Sequence, residues 1–135
     1  MIATENPVVL FVEDSDLDFE MAERALHSDS PKVDVLRAES LSQVMEHIDD
    51  KALTLIIFDI NMGSTNGLKL LAEVRSECQR TDVGFIVFST STSPNEKRSA
   101  LDAGAGAYHE KPLGAVAFME AVRQMVLPWI EQRLQ

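Results

Sequence analysis

The sequence predicts an α/β fold, a five-stranded parallel sheet with helices on both faces, and three observations lead there. The apolar runs Val8–Val12, Leu55–Phe58 and Phe85–Phe88 are of strand length. An unbroken run, unlike strict alternation, is the pattern of a strand covered on both sides. Stretches with helical spacing of apolar residues separate the runs, and alternating strands and helices build a parallel sheet with covering helices. The third observation is that acidic, hydroxyl and lysine residues follow the strands instead of interrupting them. In open α/β sheets that edge, at the carboxyl ends of the strands, is where ligands bind.

Taken in chain order, the first strand is expected near 7–12, followed by a helix whose apolar face carries Leu17, Met21, Ala25 and Leu26. A second strand near 33–37 leads to a helix marked by Leu41, Val44, Met45 and Ile48. The third strand, near 54–59, precedes a helix with Leu70, Leu71 and Val74. After a fourth strand near 84–89, Ser93-Pro94-Asn95-Glu96 forms a capping box with proline at the first helical position. Gly104 is the expected stop of that helix. A short fifth strand near 107–110 precedes a last helix from about Ala115 to Ile130. Pro128 removes a backbone donor and should kink or end that helix, turning Trp129 and Ile130 off its axis. On it, Val116, Met119 and Val126 are expected to face the sheet, leaving Phe118, Val122, Met125 and Trp129 partly exposed. An exposed apolar patch of that kind marks an interface, so the last helix is expected to form a homodimer or to dock a partner. Met21, Met45, Met119 and Met125 read as packing residues.

With 135 residues the chain is expected to be one domain, with its core over about 7–130. A hydrophobic content of 45%, a charged content of 25% and a net charge of −10 describe an acidic globular protein. Nucleic acid and anionic membranes need clustered Lys and Arg, so neither is an expected partner. The opening residues 1–7 lack the features of a signal peptide, and no apolar stretch is long enough to span a bilayer. Cys78 is the lone cysteine and has no internal disulfide partner. The cytoplasm is therefore the expected compartment. His27, His47 and His109 are scattered without ligand spacing and read as structural.

The chemistry sits at the strand ends. Glu13 and Asp14 follow the first strand, and adjacent carboxylates repel unless a cation or hydrogen bonds offset them. Mg²⁺ keeps several waters and needs only one or two carboxylates, although Asp14 or Ser15 could equally cap the next helix. Asp59 closes the third strand, with Asn61 and Gly67 at spacings that let the turn aim a backbone carbonyl at a metal. A carboxylate between a metal and a lysine is a suitable nucleophile towards phosphorus. Ser89 and Thr90 are the hydroxyl candidates, though a polar loop would look the same. Lys111 precedes Pro112, which holds it extended at the end of the fifth strand.

The acidic pair Glu13-Asp14, Asp59 with Asn61 and Gly67, Ser89, Gly104-Ala105, and Tyr108 ahead of Lys111-Pro112 together resemble the receiver domain of two-component response regulators. The resemblance covers essentially the whole chain and implies a flavodoxin-like, doubly wound fold and a stand-alone, CheY-like switch. It implies that Asp59 is the phosphoacceptor, that Asp14, Asp59 and the Asn61 carbonyl bind Mg²⁺ directly, and that Glu13 acts through water. Lys111 would contact the phosphoryl group, Ser89 would hydrogen-bond it, and Tyr108 would turn inward on activation. The implied partners are a histidine kinase or phosphotransfer protein and a downstream protein target, with no enzymatic output. Gly63 departs from the pattern, since the family usually has proline there. Two other readings remain open. A phosphatase of the haloacid dehalogenase type also uses a nucleophilic Asp, Mg²⁺ and a lysine, but it usually has Asp where this chain has Asn61. A pseudo-receiver scaffold would take no phosphoryl group at all.

Overall fold

The computed structural model describes residues 6–29, 32–63 and 65–133. Residues 1–5, on which much of the export expectation rests, and 134–135 lie outside the described residues. The elements are β1 Val8–Val12, α1 Asp16–Asp29, β2 Asp34–Ala38, α2 Leu41–Met45, β3 Leu53–Phe58, α3 Gly67–Glu77, β4 Gly84–Ser89, α4 Pro94–Asp102, β5 Ala107–Glu110 and α5 Ala115–Arg133. All strand pairs are parallel, in the order β2-β1-β3-β4-β5. The strand order turns back at β1 and β3, so the connections after these two strands leave toward opposite sides and open a crevice between them.

Each inner strand feeds two cores, because successive side chains point to opposite faces. Leu10, Ile56, Phe58 and Val87 pack with Val44 of α2, Leu70, Leu71 and Val74 of α3, and Ala100 of α4. Val9, Phe11, Leu55, Ile57, Ile86 and Phe88 pack with Ala22, Ala25 and Leu26 of α1 and with α5 on the other face. Every residue of β1, β3 and β4 is buried. Apolar residues at that density, buried at ~25 cal/mol per Å², supply the main driving force for this architecture.

Local signals set the helix ends. Ser40, Asn66 and Ser93 each cap a helix by accepting from backbone N–H groups of its first turn. Gly104, at φ 119°, ends the chain's excursion through α4 in a conformation that side chains resist. Several boundaries differ from expectation by a residue or more, and two of them bear on the site and the core. β3 stops at Phe58, with Asp59 just beyond it, and α2 ends at Met45 although Ile48 remains buried in the following turn.

The expected exposure of α5 is corrected. Val116 is 85% exposed, whereas Phe118, Val122 and Met125 are 5%, 0% and 5% exposed. The period of the helix explains this. Residues 118, 122, 125, 126 and 130 form one core-facing stripe, and Val116 falls off it. Met119 is only partly buried beside that stripe. Trp129 is half-buried against β4, where Gly84 leaves room for its ring; a Cβ there would come within 2.7 Å of the indole. The apolar patch that suggested a homodimer is therefore mostly interior. Nor does Pro128 end the helix, which continues to Arg133 with Ile130 still 1% exposed. Pro128 and Gln124 both lie on the exposed side, where water can satisfy the carbonyl that proline leaves without a donor.

Candidate functional site

The site is assembled at the carboxyl edge of β1, β3, β4 and β5. The Glu13 N–H donates to the Ala38 carbonyl (3.1 Å) and the Asp59 N–H to the Val12 carbonyl (3.0 Å), so both acids are seated by extensions of the sheet ladder. Arg37 adds a 2.8 Å bond from Nε to the Glu13 carbonyl and ion-pairs with Asp16 at 2.7 Å. Glu13 and Asp59 are buried, while Asp14 is exposed. Oxygens of Glu13, Asp14 and Asp59 lie within 4.8 Å of one another. Three carboxylates at that spacing, one of them open to water, suit a hard divalent cation that prefers oxygen ligands and retains water.

The loop after β3 is closed by its own hydrogen bonds. Asn61 donates its N–H to Asp59 Oδ1 (2.9 Å), and Asn61 and Asn66 form an isolated antiparallel bridge. Gly67 starts α3 directly against the Asp59 carbonyl, where any Cβ would overlap the backbone. The Gly63 N–H donates to Asp14 Oδ2 at 2.8 Å, a bond that proline could not make.

Ser89 is fully buried, and its hydroxyl accepts from Asn61 Nδ2 (3.0 Å) and from the Ser91 N–H (3.3 Å). Thr90 is exposed and receives only a longer 3.4 Å contact from the same amide. Tyr108 is half-buried and donates its hydroxyl to the Ser91 carbonyl at 2.8 Å, while Ser91 Oγ donates to Glu96 of α4 at 2.6 Å. Ser91 thus links Ser89, Tyr108 and α4 in one hydrogen-bonded chain.

Lys111 is positioned by its N–H bond to the Ser89 carbonyl (2.7 Å), and its side chain is 4% exposed. Its ammonium donates to Glu13 Oε1 at 2.7 Å, Asp18 Oδ2 at 2.8 Å and Asp59 Oδ2 at 3.1 Å. An ammonium has three donors, and all three are used. Burial alone would lower the Lys111 pKa, but Glu13, Asp18 and Asp59 outweigh it and hold the group above its ordinary range. Burial also pushes the Glu13 carboxyl up to about 7, against the opposing pull of Lys111. Asp18 had not been singled out in the sequence. Its only signal is its place on α1, one turn beyond Asp14.

Comparison with known proteins agrees with this geometry. The profile of the response regulator receiver domain matches residues 9–123, and the chain belongs to that family. It is 32% identical over 106 residues to the KDP operon transcriptional regulatory protein KdpE of Escherichia coli strain K12, covering 78% of this chain and 45% of that protein. It is 38% identical over 80 residues to the chemotaxis protein CheY1 of Helicobacter pylori strain 26695, covering 58% of this chain and 64% of that protein. The chain therefore spans between about half and two thirds of the length of these relatives. Among solved structures, the phosphorylated cyanobacterial phytochrome response regulator RcpA aligns with a TM-score of 0.82 at 19% identity, over 94% of this chain and 96% of its own. The Mn²⁺-bound response regulator Rcp1 aligns at 0.79 and 20% identity, over 93% and 95% of the two chains. These distant likenesses support the doubly wound parallel fold. Receiver domains are signalling modules of two-component systems. Among the described residues, no helix is long and apolar enough to cross a membrane.

Proposed function

We propose that the chain works as a response-regulator receiver that accepts a phosphoryl group on Asp59 and passes the signal on through protein contacts. The observation that carries this reading is the bond from Lys111 to Asp59 beside the Glu13-Asp14-Asp59 carboxylate group. A carboxylate oxygen of Asp59 attacks the phosphorus of a phosphohistidine. The new P–O bond forms as the P–N bond breaks, and the electron pair returns to the imidazole nitrogen of the donor. Lys111 faces the charge that gathers on the phosphoryl oxygens, where fixed opposite charge is worth most. Glu13, Asp14 and Asp59, with the Asn61 carbonyl, are the residues that would hold Mg²⁺, whose role is to neutralise phosphoryl charge.

Once Asp59 is phosphorylated, the Ser89 hydroxyl turns to a phosphoryl oxygen and releases the Ser91 N–H. A hydrogen bond to a charged acceptor contributes roughly 1.5–3 kcal/mol, enough to shift a two-state equilibrium about ten- to a hundred-fold. Ser91 carries that change to Tyr108 and to Glu96 of α4, which supports α4, β5 and α5 as the responding surface. The upstream partner is a histidine kinase or phosphotransfer protein, the downstream one a protein target, and the cytoplasm is the compartment. Intact mass after incubation with acetyl phosphate tests the reading. Wild type should gain one phosphoryl group only with Mg²⁺ present, and Asp59→Asn should gain none; a phosphorylated Asp59→Asn would overturn the assignment.

A further inference from the structure

Lys111 has three hydrogen-bond donors and three carboxylate partners, so a phosphoryl group arriving at Asp59 finds no donor of the lysine unused. One bond has to be given up. At Glu13, whose side chain is 6% exposed, water has little room to take the place of the ammonium. The Asp18 side chain is 25% exposed, and its carboxylate can turn to water. Asp18 also lies outside the Glu13-Asp14-Asp59 group that could hold a cation. Its contact is nevertheless as short as that of Glu13, at 2.8 Å against 2.7 Å.

On the reading that Asp59 is the phosphoacceptor, we infer that Asp18 is a positioning residue that holds Lys111 back from the phosphoryl group. It acts only through the lysine. In the unmodified protein Asp18 takes one of the three ammonium bonds. When phosphorus bonds to Asp59, Lys111 leaves Asp18 and turns that donor to a phosphoryl oxygen. Asp18 opposes the product in two ways of the same sign. It competes for the ammonium, and its charge repels the incoming dianion. A purely structural anchor would have the opposite effect, since its loss would leave Lys111 less well placed and slow the reaction.

The sign therefore decides. Asp18→Asn keeps the shape of the side chain and removes the charge, and Asp18→Glu keeps the charge. Rates of phosphorylation by acetyl phosphate are compared at saturating Mg²⁺, so that any change in cation affinity drops out. In this reaction the new P–O bond to Asp59 forms as acetate leaves with the electron pair of its own P–O bond. Asp18→Asn should react roughly three- to tenfold faster than wild type, the order set by removing one unit charge a few ångströms from the transferring group when that charge sits on a side chain partly open to screening water. It should bind beryllofluoride more tightly by a similar factor, while Asp18→Glu stays near wild type. Beryllofluoride affinity reads the assembled state without turnover, and urea denaturation of each variant checks the fold. An Asp18→Asn protein that is folded and reacts more slowly than wild type, or at the same rate, overturns the inference. Wild type that takes no phosphoryl group on Asp59 would instead overturn the reading on which it rests.

Discussion

Replacing Lys111 by methionine keeps most of the buried stem and removes the one charge that Glu13, Asp18 and Asp59 share. Taking one partner from a buried ion pair costs about 3–5 kcal/mol, because the other charge is left without compensation. Two features of this site bring the cost down. Glu13 already titrates at about 7, so it can shed its charge near neutrality at little expense. Asp18 keeps a quarter of its side chain in water and can be solvated where it stands. Asp59, whose side chain is 9% exposed, has little water to turn to. The expected deficit of Lys111→Met at pH 7 without divalent cation is therefore about 2–4 kcal/mol, measured by urea denaturation with a shared slope. It should shrink at pH 5, below the raised Glu13 value, where that carboxyl holds its proton and needs no cation, and shrink again when Mg²⁺ supplies positive charge at the same place. A variant as stable as wild type at pH 7, or one whose deficit is the same at both pH values, would refute the account of this cluster as a charge-balanced unit.

The remaining predictions concern the core and the acid pair. Phe118 packs against Phe88 with ring centroids 5.2 Å apart, so Phe118→Ala should cost about 3–5 kcal/mol, whereas Val116→Ala should stay within ~0.5 kcal/mol. The reverse order in thermal or urea melts would restore the expected exposure of α5. For Glu13 the folded-state value lies above the ordinary 4.5, so the folded chain binds that proton more tightly than the unfolded one. Its contribution to stability is complete below about 4.5 and is lost as pH rises through about 7. Without divalent cation, wild type should lose roughly 1–3 kcal/mol relative to Glu13→Gln between pH 5 and 7. A gap that does not change with pH would contradict the shift.

How much could be read from the chain depended on whether a signal was local. β1, β3 and β4 were legible because a strand buried on both faces has no reason to carry polar residues, and Ser93-Pro94 marked α4 because capping is decided within one turn. Glu13, Asp14, Asp59, Ser89 and Lys111 stood out because each ends a strand, and parallel strands deliver their ends to one edge. Asp18 did not stand out, since its contact with Lys111 spans most of the chain and nothing near it in sequence requires an acid. The face of α5 was misread for a related reason. With apolar residues on several sides, only the position of β4 and α1 selects the stripe from Phe118 to Ile130. Pro128 was given too much weight because an exposed carbonyl can turn to water, and burial is not visible in a single sequence.

The Gly63 N–H bond to Asp14 has a consequence of its own. One backbone donor couples the loop between β3 and α3 to a carboxylate on the far side of the crevice. Coupling between two events is reciprocal, so any ligand that draws Asp14 Oδ2 away from this N–H loosens the loop by the same factor by which a closed loop weakens the ligand. A chain with proline at 63 would lack that exchange, since its loop would be stiffened by the ring and indifferent to Asp14. Here stiffness is conditional on chemistry. The backbone at Gly63 is tied to the state of an acidic side chain, through a residue with no side chain of its own.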